Sequence, residues 1–306
     1  MQNKKILVTG GAGFIGSHLS EKLSKTNEII VLDKLLRGNK LFNKNKNIKF
    51  IYGDVKDYSL VEKISKGCDI IFHLAALLGV EMVSKDNILT MDTEFIGMRN
   101  ICRAALKNNI NKIAYTSSSG VYGKLNYKIN VSENSTVIPA SAYALSKKFN
   151  EVYLENMYKQ HGLRSVSFRL FNVYGPRQDD RMVIPRFYNQ CISNKDITVY
   201  ENGNQTRDFT YIDDCIYSMI QATKKNTKFD VLNISRGADK KIVEIAKILK
   251  KMTKSNSKIK FTKVPKNLLE FQVKKRCGNS KKLKNLIKYK PHTSIVEGLT
   301  KTYFTQ

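Results

Sequence analysis

Tyr143-Ala144-Leu145-Ser146-Lys147 places a phenol and an ammonium four residues apart, which on a helix puts both on one face. A free tyrosine titrates near pH 10, so Tyr143 can take a proton from an alcohol at neutral pH only if that value falls by about 3 units, roughly 4 kcal/mol. A close lysine and a positively charged nicotinamide ring can supply much of that. A second segment, Thr9-Gly10-Gly11-Ala12-Gly13-Phe14-Ile15-Gly16, suits a dinucleotide. Its Gly10, Gly13 and Gly16 allow a tight turn, close approach of backbone to a pyrophosphate, and close helix–strand packing. The first N–H groups of the helix that follows, from Phe14 and Ile15 on, then meet the phosphates where the helix dipole favours negative charge. Asp33 lies 20 residues beyond Gly13. A carboxylate there accepts hydrogen bonds from the ribose hydroxyls and repels a 2′-phosphate, which favours NAD over NADP. Lys34 and Arg37 beside it weigh the other way.

These residues need a scaffold, and the pattern of the first half supplies one. Strand-like runs at Ile6–Thr9, Glu28–Leu32, Ile48–Tyr52, Ile70–Leu74 and Lys112–Ser117 alternate with helical spacing at Phe14–Lys25, Leu60–Ser65 and Glu94–Lys107. That alternation predicts an α/β fold, a Rossmann-type doubly wound parallel sheet. The helical stretch Ala142–Tyr158 carries the Tyr–Lys pair, and a further strand, Ser165–Phe171, follows it. After Gly175-Pro176 the elements shorten, and helical periodicity returns at Lys241–Lys250 and Ser280–Ile287. The expected division is a cofactor-binding domain over 1–172, with part of about 207–232 returning to it, and a smaller mixed α/β lobe over 173–306.

Bulk properties limit the function classes. The five cysteines have neither CxxC nor His-spaced ligand patterns, so reduced thiols in a cytoplasm are expected and a metal site is not. No apolar run approaches a membrane span. The net charge of +27, from 53 basic against 26 acidic residues, would suit a polyanionic partner. No nucleic-acid-binding motif accompanies it, so a lysine-rich compositional habit is the simpler source and no specific nucleic-acid partner is expected.

Further motifs complete a pattern: Gly53-Asp54-Val55, His73-Leu74-Ala75-Ala76, SSSGVYG at 117–123, RLFNVYGPRQ at 169–178 and RDFTYIDD at 207–214. In this order and spacing, together with TGGAGFIG and YALSK, the chain resembles an extended short-chain dehydrogenase/reductase of the nucleotide-sugar epimerase and dehydratase branch. The resemblance runs over almost the whole length. It implies that Asp54 and Val55 flank the adenine of NAD, that Leu74, Ala75 and Ala76 line the cofactor groove, and that Lys147 also binds the nicotinamide ribose. It implies a third catalytic group, Ser118, four residues before Tyr122, with Ser117 and Ser119 packing behind it. A homodimer through the helices near Glu94–Lys107 and Ala142–Tyr158 is also implied.

In the second lobe the resemblance assigns Arg207 to a substrate diphosphate, for which fixed basic side chains are suited. A second such arginine falls near Arg276, off by one residue, so Lys275 competes with it. Asn172 would contact the diphosphate or sugar, and Tyr200 the base. Departures from the family pattern bear on the reaction. Relatives that eliminate water carry an Asp-Glu pair after the catalytic hydroxyl, where this chain has Ser119-Gly120. Decarboxylating relatives and reductoisomerase relatives have Glu or Cys at the place of Gly120. What remains suffices for reversible oxidation of a hydroxyl, and the expectation is NAD-dependent 4-epimerisation of a UDP-sugar through a 4-keto intermediate. The alternatives are a 4-keto reductase or dehydrogenase, a 4,6-dehydratase, and, outside enzymes, an NAD-binding regulator or basic nucleic-acid binder. Glu94 stands where relatives usually have Asn, and is read either as an extra acid/base group near the nicotinamide or as a harmless helix substitution.

Overall fold

A computed structural model of the chain describes residues 1–41, 45–77, 86–124 and 130–305. Its centre is a seven-stranded parallel sheet. The strands are β1 (Lys5–Thr9), β2 (Glu28–Asp33), β3 (Ile48–Tyr52), β4 (Ile70–His73), β5 (Lys112–Ser118), β6 (Arg164–Leu170) and, after the short strands of the second half, β11 (Phe229–Ile234), in the order β11-β6-β5-β4-β1-β2-β3. Both faces of such a sheet must be covered. Ile6 and Val8 of β1 enter one apolar cluster with Leu19 and Met219, and Leu7 between them enters the other with Val61, Met98, Ile101 and Leu154.

Helices α1 (Phe14–Leu23), α2 (Tyr58–Ser65), α3 (Asn87–Lys107) and α4 (Ala142–His161) connect the first strands. Helix α3 starts seven residues before the predicted Glu94, because the Asp86 carboxylate accepts the Leu89 N–H at 2.7 Å and caps it. Helix α4 is capped by Ser141 at its start and stopped by Gly162, whose φ of 70° is the left-handed conformation glycine adopts readily. Its inner face is tied to the sheet by Glu151, which forms a two-pronged ion pair with Arg169 of β6.

Beyond β6 the strands fall into small sheets: β7 (Val173–Tyr174) with β10 (Thr210–Tyr211), β8 (Ile197–Tyr200) with β13 (Ile259–Thr262), and β9 (Thr206–Asp208) between β12 (Asp239–Lys241) and β14 (Lys275–Arg276). Helices α5 (Val183–Ile192), α6 (Ile212–Thr223), α7 (Ile242–Met252), α8 (Lys281–Ile287) and α9 (Ile295–Tyr303) pack among them. The sequence pattern signals α7 and α8 but not α5, α6 or α9. Helix α6 has nine buried residues, polar ones included, so its periodicity is blurred. Among the described residues no helix is long and apolar enough to cross a membrane.

Candidate active site

The strand order reverses direction at β1, and the crevice outside the carboxyl ends of the strands there is where open α/β sheets bind ligands. The glycine turn occupies it. A side chain at position 16 would place its Cβ 2.0 Å from the Gly10 carbonyl oxygen, and one at position 10 would come within 2.7 Å of the Ala75 nitrogen. Helix α1 can therefore press against the end of β1 only with glycine at both places. Leu74, Ala75 and half-buried Ala76 stand directly beside this turn, Leu74 N–H donating to the Thr9 carbonyl and Ala75 N–H to the Thr9 hydroxyl. Position 13 is roomier, with the Gly10 oxygen 3.3 Å from a built Cβ as its nearest neighbour, and no side chain caps the first turn of α1 at Phe14 and Ile15. An uncapped helix N-terminus over an open cradle fits a pyrophosphate.

Asp33 ends β2 on the same edge, its carboxylate accepting the Ala12 and Leu35 N–H groups at 3.0 and 2.8 Å. The two basic residues that could have drawn a 2′-phosphate are engaged elsewhere. Lys34 pairs with Asp54 at 2.8 Å and Arg37 with Asp179 at 3.7 Å. Val55 is buried behind Asp54 and its side chain fills the space left by Gly97 of α3, 2.9 Å from where a Cβ would stand. These residues fit NAD.

Ser118 ends β5, in register with Leu170 of β6. Its Oγ accepts the Gly120 N–H at 3.0 Å and stands near enough to the Tyr143 phenol to favour its ionised form. With that N–H accepted, the Ser118 proton is left to donate. A Cβ on Gly120 would stand 3.2 Å from the Ser118 Oγ, so residue 120 borders this hydroxyl directly. Tyr143 and Lys147 share one face of α4, the Lys147 Nζ lying 5.5 Å from the centre of the Tyr143 ring. Burial pushes the Tyr143 phenol above its ordinary value; Lys147 and Ser118 oppose that, and Glu94 adds to it. The lysine alone therefore does not lower the phenol as the Tyr–Lys spacing would suggest.

Burial is the main reason, and Glu94 adds to it. Its Oε1 is 2.8 Å from the Lys147 Nζ, with the two side chains 0% and 1% exposed. The approach is off the hydrogen-bonding direction, so the pair is a contact of charges rather than an aligned bond. Oε2 accepts the Tyr115 hydroxyl at 3.0 Å and the Asn150 amide at 3.1 Å. Lys147 also stands 4.8 Å over the Tyr115 ring, which stacks on buried His73. Tyr115 and Asn150 are site neighbours that the motifs did not reveal. Asn150, three residues past Lys147, shares its helix face, and Tyr115 sits inside the apolar run of β5, where only its phenol signalled a polar duty.

The carboxyl edge also carries Asn172, exposed two residues past β6, whose carbonyl accepts the Thr210 N–H. Arg207 of β9 is partly buried, donates only to the Thr206 and Val273 carbonyls, and has no carboxylate partner among the described residues; burial pulls its pKa down to about 10. Arg276 is in register with Arg207 across the β9–β14 pair, while Lys275 faces Thr206. Side chains at directly paired positions share a face, so Arg276 and not Lys275 stands beside Arg207. Tyr200 ends β8, where Arg186 of α5 donates to its hydroxyl and stacks on its ring at 4.9 Å. The sequence leaves the choice of sugar to the loops Leu78–Asp86, Lys124–Ile138 and Gln178–Arg181; most of the first and part of the second lie outside the described residues, and the third is described.

Residues 6–235 match the model of the NAD dependent epimerase/dehydratase family. The chain is 34% identical over 312 residues to the UDP-N-acetyl-alpha-D-glucosaminuronate decarboxylase of Bacillus cytotoxicus, covering 98% of this chain and 96% of that one. Its fold is similar to the UDP-N-acetylglucosamine 4-epimerase of Methanobrevibacter ruminantium M1, solved with UDP-N-acetylmuramic acid: TM-score 0.92 at 31% identity, over 99% of this chain and 97% of that one. The UDP-glucose 4-epimerase of Thermotoga maritima, solved with UDP-glucose, gives a TM-score of 0.92 at 29% identity, over 97% of each chain.

Proposed function

The chain belongs to the NAD-dependent epimerase/dehydratase family, and from that premise we propose that it is a UDP-sugar 4-epimerase. NAD, when bound, supplies a hydride acceptor for the carbon that is oxidised. Asp33 and the turn from Gly10 to Gly16 would hold its ribose and pyrophosphate, with Asp54, Val55 and Leu74–Ala76 along the groove and Lys147 at the nicotinamide ribose. Tyr143 takes the C4 hydroxyl proton while Ser118 donates to the C4 oxygen and keeps it in line. The resulting 4-keto sugar turns over in the site, and Tyr143 returns the proton once the ketone is reduced on its other face. Arg207 and Arg276, side by side, clamp the diphosphate throughout, with Asn172 at the diphosphate or sugar and Tyr200 at the base.

The observation that carries this reading is the contact between Gly120 and the Ser118 hydroxyl. Residue 120 is where a carboxylate or thiol would reach the reacting sugar, and glycine leaves Ser118 and Tyr143, among the described residues, as the groups there with a proton to move. We expect pure protein with UDP-glucose, UDP-N-acetylglucosamine and UDP-glucuronate to form the 4-epimer of at least one, without net change in free cofactor. In Tyr143→Phe that turnover should fall by about 10²–10⁴-fold while NAD still binds. Carbon dioxide from UDP-glucuronate, or steady consumption of reduced cofactor, would replace this reading with decarboxylation or keto-reduction.

The unit is proposed to be a homodimer. Leu145, Phe149 and Val152 of α4 leave 49%, 47% and 43% of their surface exposed, and Phe149 packs at a tilt against Phe95 of α3, ring centres 4.5 Å apart. This apolar strip over two helices suits a second copy of itself, and a solution mass of two chains is the expected reading.

A further inference from the structure

Lys147 and Glu94 make an unusual pair for a site that must ionise a phenol. The groups facing the Glu94 carboxylate are Lys147 and Asn150 of α4 and Tyr115 of β5. Tyr143 of α4 and neutral His73 of β4 stand beyond Lys147 and Tyr115. Among these groups Lys147 is the sole cation and Glu94 the sole anion. The ammonium is held between two rings, 4.8 Å from the centre of Tyr115 and 5.5 Å from that of Tyr143. With a carboxylate 2.8 Å away, what reaches Tyr143 is the field of a dipole, which weakens faster with distance than that of a lone charge. A neutral amide could accept from Lys147 and orient it without placing a second charge in a dry interior, where isolated charges are costly.

We propose that Glu94 is the built-in counter-ion of Lys147: it holds the ammonium between the Tyr115 and Tyr143 rings and offsets its charge, leaving the ionisation of Tyr143 under the control of the oxidised cofactor's positive ring. Glu94 is thus a positioning residue acting through Lys147. Its effect is that the proton acceptor becomes active only beside a cofactor able to receive a hydride. This rests on Tyr143 being the proton acceptor, and not on which sugar is turned over.

The phenol itself is the readout. Tyrosinate absorbance, taken as the difference between each protein and the same protein carrying Tyr143→Phe, follows Tyr143 alone. In cofactor-free protein, Glu94→Gln should move the Tyr143 midpoint down by about one pH unit, and Glu94→Asp, which keeps the charge, should leave it in place. Glu94→Asn gives the same charge removal in a shorter side chain should the glutamine variant not fold. In the unaltered chain, oxidised cofactor should lower the midpoint and reduced cofactor should not. Where a nucleotide sugar is turned over, the acid limb of kcat/KM should shift down with Glu94→Gln by the same amount. An unmoved midpoint in the charge-removing variants, or equal midpoints with oxidised and reduced cofactor, overturns the proposal. A midpoint that moves in a protein forming no 4-epimer supports the role of Glu94 and sinks the epimerase reading; an active epimerase with an unmoved midpoint does the reverse.

Discussion

Helix α4 carries two buried ion pairs one turn apart, Lys147 with Glu94 and Glu151 with Arg169, and they are built on opposite plans. Arg169 meets Glu151 as a fork, Nε to Oε1 at 2.9 Å and Nη2 to Oε2 at 2.8 Å. Its remaining nitrogen donates to the Tyr122 hydroxyl and the Glu133 carbonyl, and Ser117 donates to Glu151 at 2.6 Å. Burial pulls the Arg169 pKa down, but Glu151 and Tyr122 outweigh it and hold the guanidinium above its ordinary value. Both ions are saturated, so the pair acts as a rivet between α4, β5 and β6. Lys147 offers a point charge to an oxygen off its bonding direction, with the open side towards Tyr143. A saturated pair fixes a helix; an unsaturated one sets an ammonium beside a reacting group with its charge offset. The difference follows from the side chains, since a guanidinium matches a carboxylate in two places and an ammonium matches it in one.

The largest effect that separates them is on folding. Glu151→Ala leaves the Arg169 guanidinium buried without its carboxylate, and we expect a loss of about 3–5 kcal/mol in urea-induced unfolding. Because Ser117 loses its acceptor too, Ser118 and the helix start at Ala142 should drift, and turnover should fall along with stability. A loss below about 1 kcal/mol would mean that the fork contributes no more than a surface pair, and the contrast between rivet and tuned charge would collapse.

Much of the cofactor half was legible because its duties are met by backbone geometry. Gly10, Gly13 and Gly16 stand where side chains would collide or crowd, and a collision of that kind leaves a mark in the sequence at fixed spacing. The parallel sheet was readable for a similar reason: strands buried on both faces need unbroken apolar runs. Tyr143 and Lys147 were visible as a helical pair, but the net position of the phenol was not, because burial raises it and Glu94, arriving from α3 some fifty positions earlier in the chain, adds to that. The Lys275/Arg276 ambiguity was of the same kind. Which of two adjacent basic residues shares a face with Arg207 depends on the β9–β14 register, and two-residue strands carry no periodicity from which to read it. Helix α6 was obscured by burial on several sides, which erases amphipathic contrast, and strand β11 by Asp230 and Asn233, which break its apolar run.

The smaller effect is a pH dependence that belongs to the Lys147 side of the comparison. His73 is fully buried, with Nδ1 bonded to the Thr9 hydroxyl at 2.7 Å and Nε2 without a partner among the described residues. Burial, and to a lesser degree the charge of Lys147, push its pKa down to about 3. For a cationic group, a folded value below the unfolded one means that the unfolded chain takes up a proton the folded chain refuses. Stability should therefore be unaffected by His73 above its ordinary value near 6.5 and should fall as the pH drops below that, by up to about 1.4 kcal/mol per pH unit, until the folded imidazole titrates near 3. At pH 5 that is about 2 kcal/mol relative to pH 7. On the other side of the comparison, the Arg169 guanidinium stays charged throughout that window and contributes no slope. Urea unfolding of His73→Gln at pH 7, 6 and 5 separates the two: the variant should lose most of the slope seen in the unaltered chain. If it keeps that slope, the acid sensitivity lies elsewhere, and the crowding around Lys147 is not the soft place in the fold that the unpaired Nε2 marks it to be.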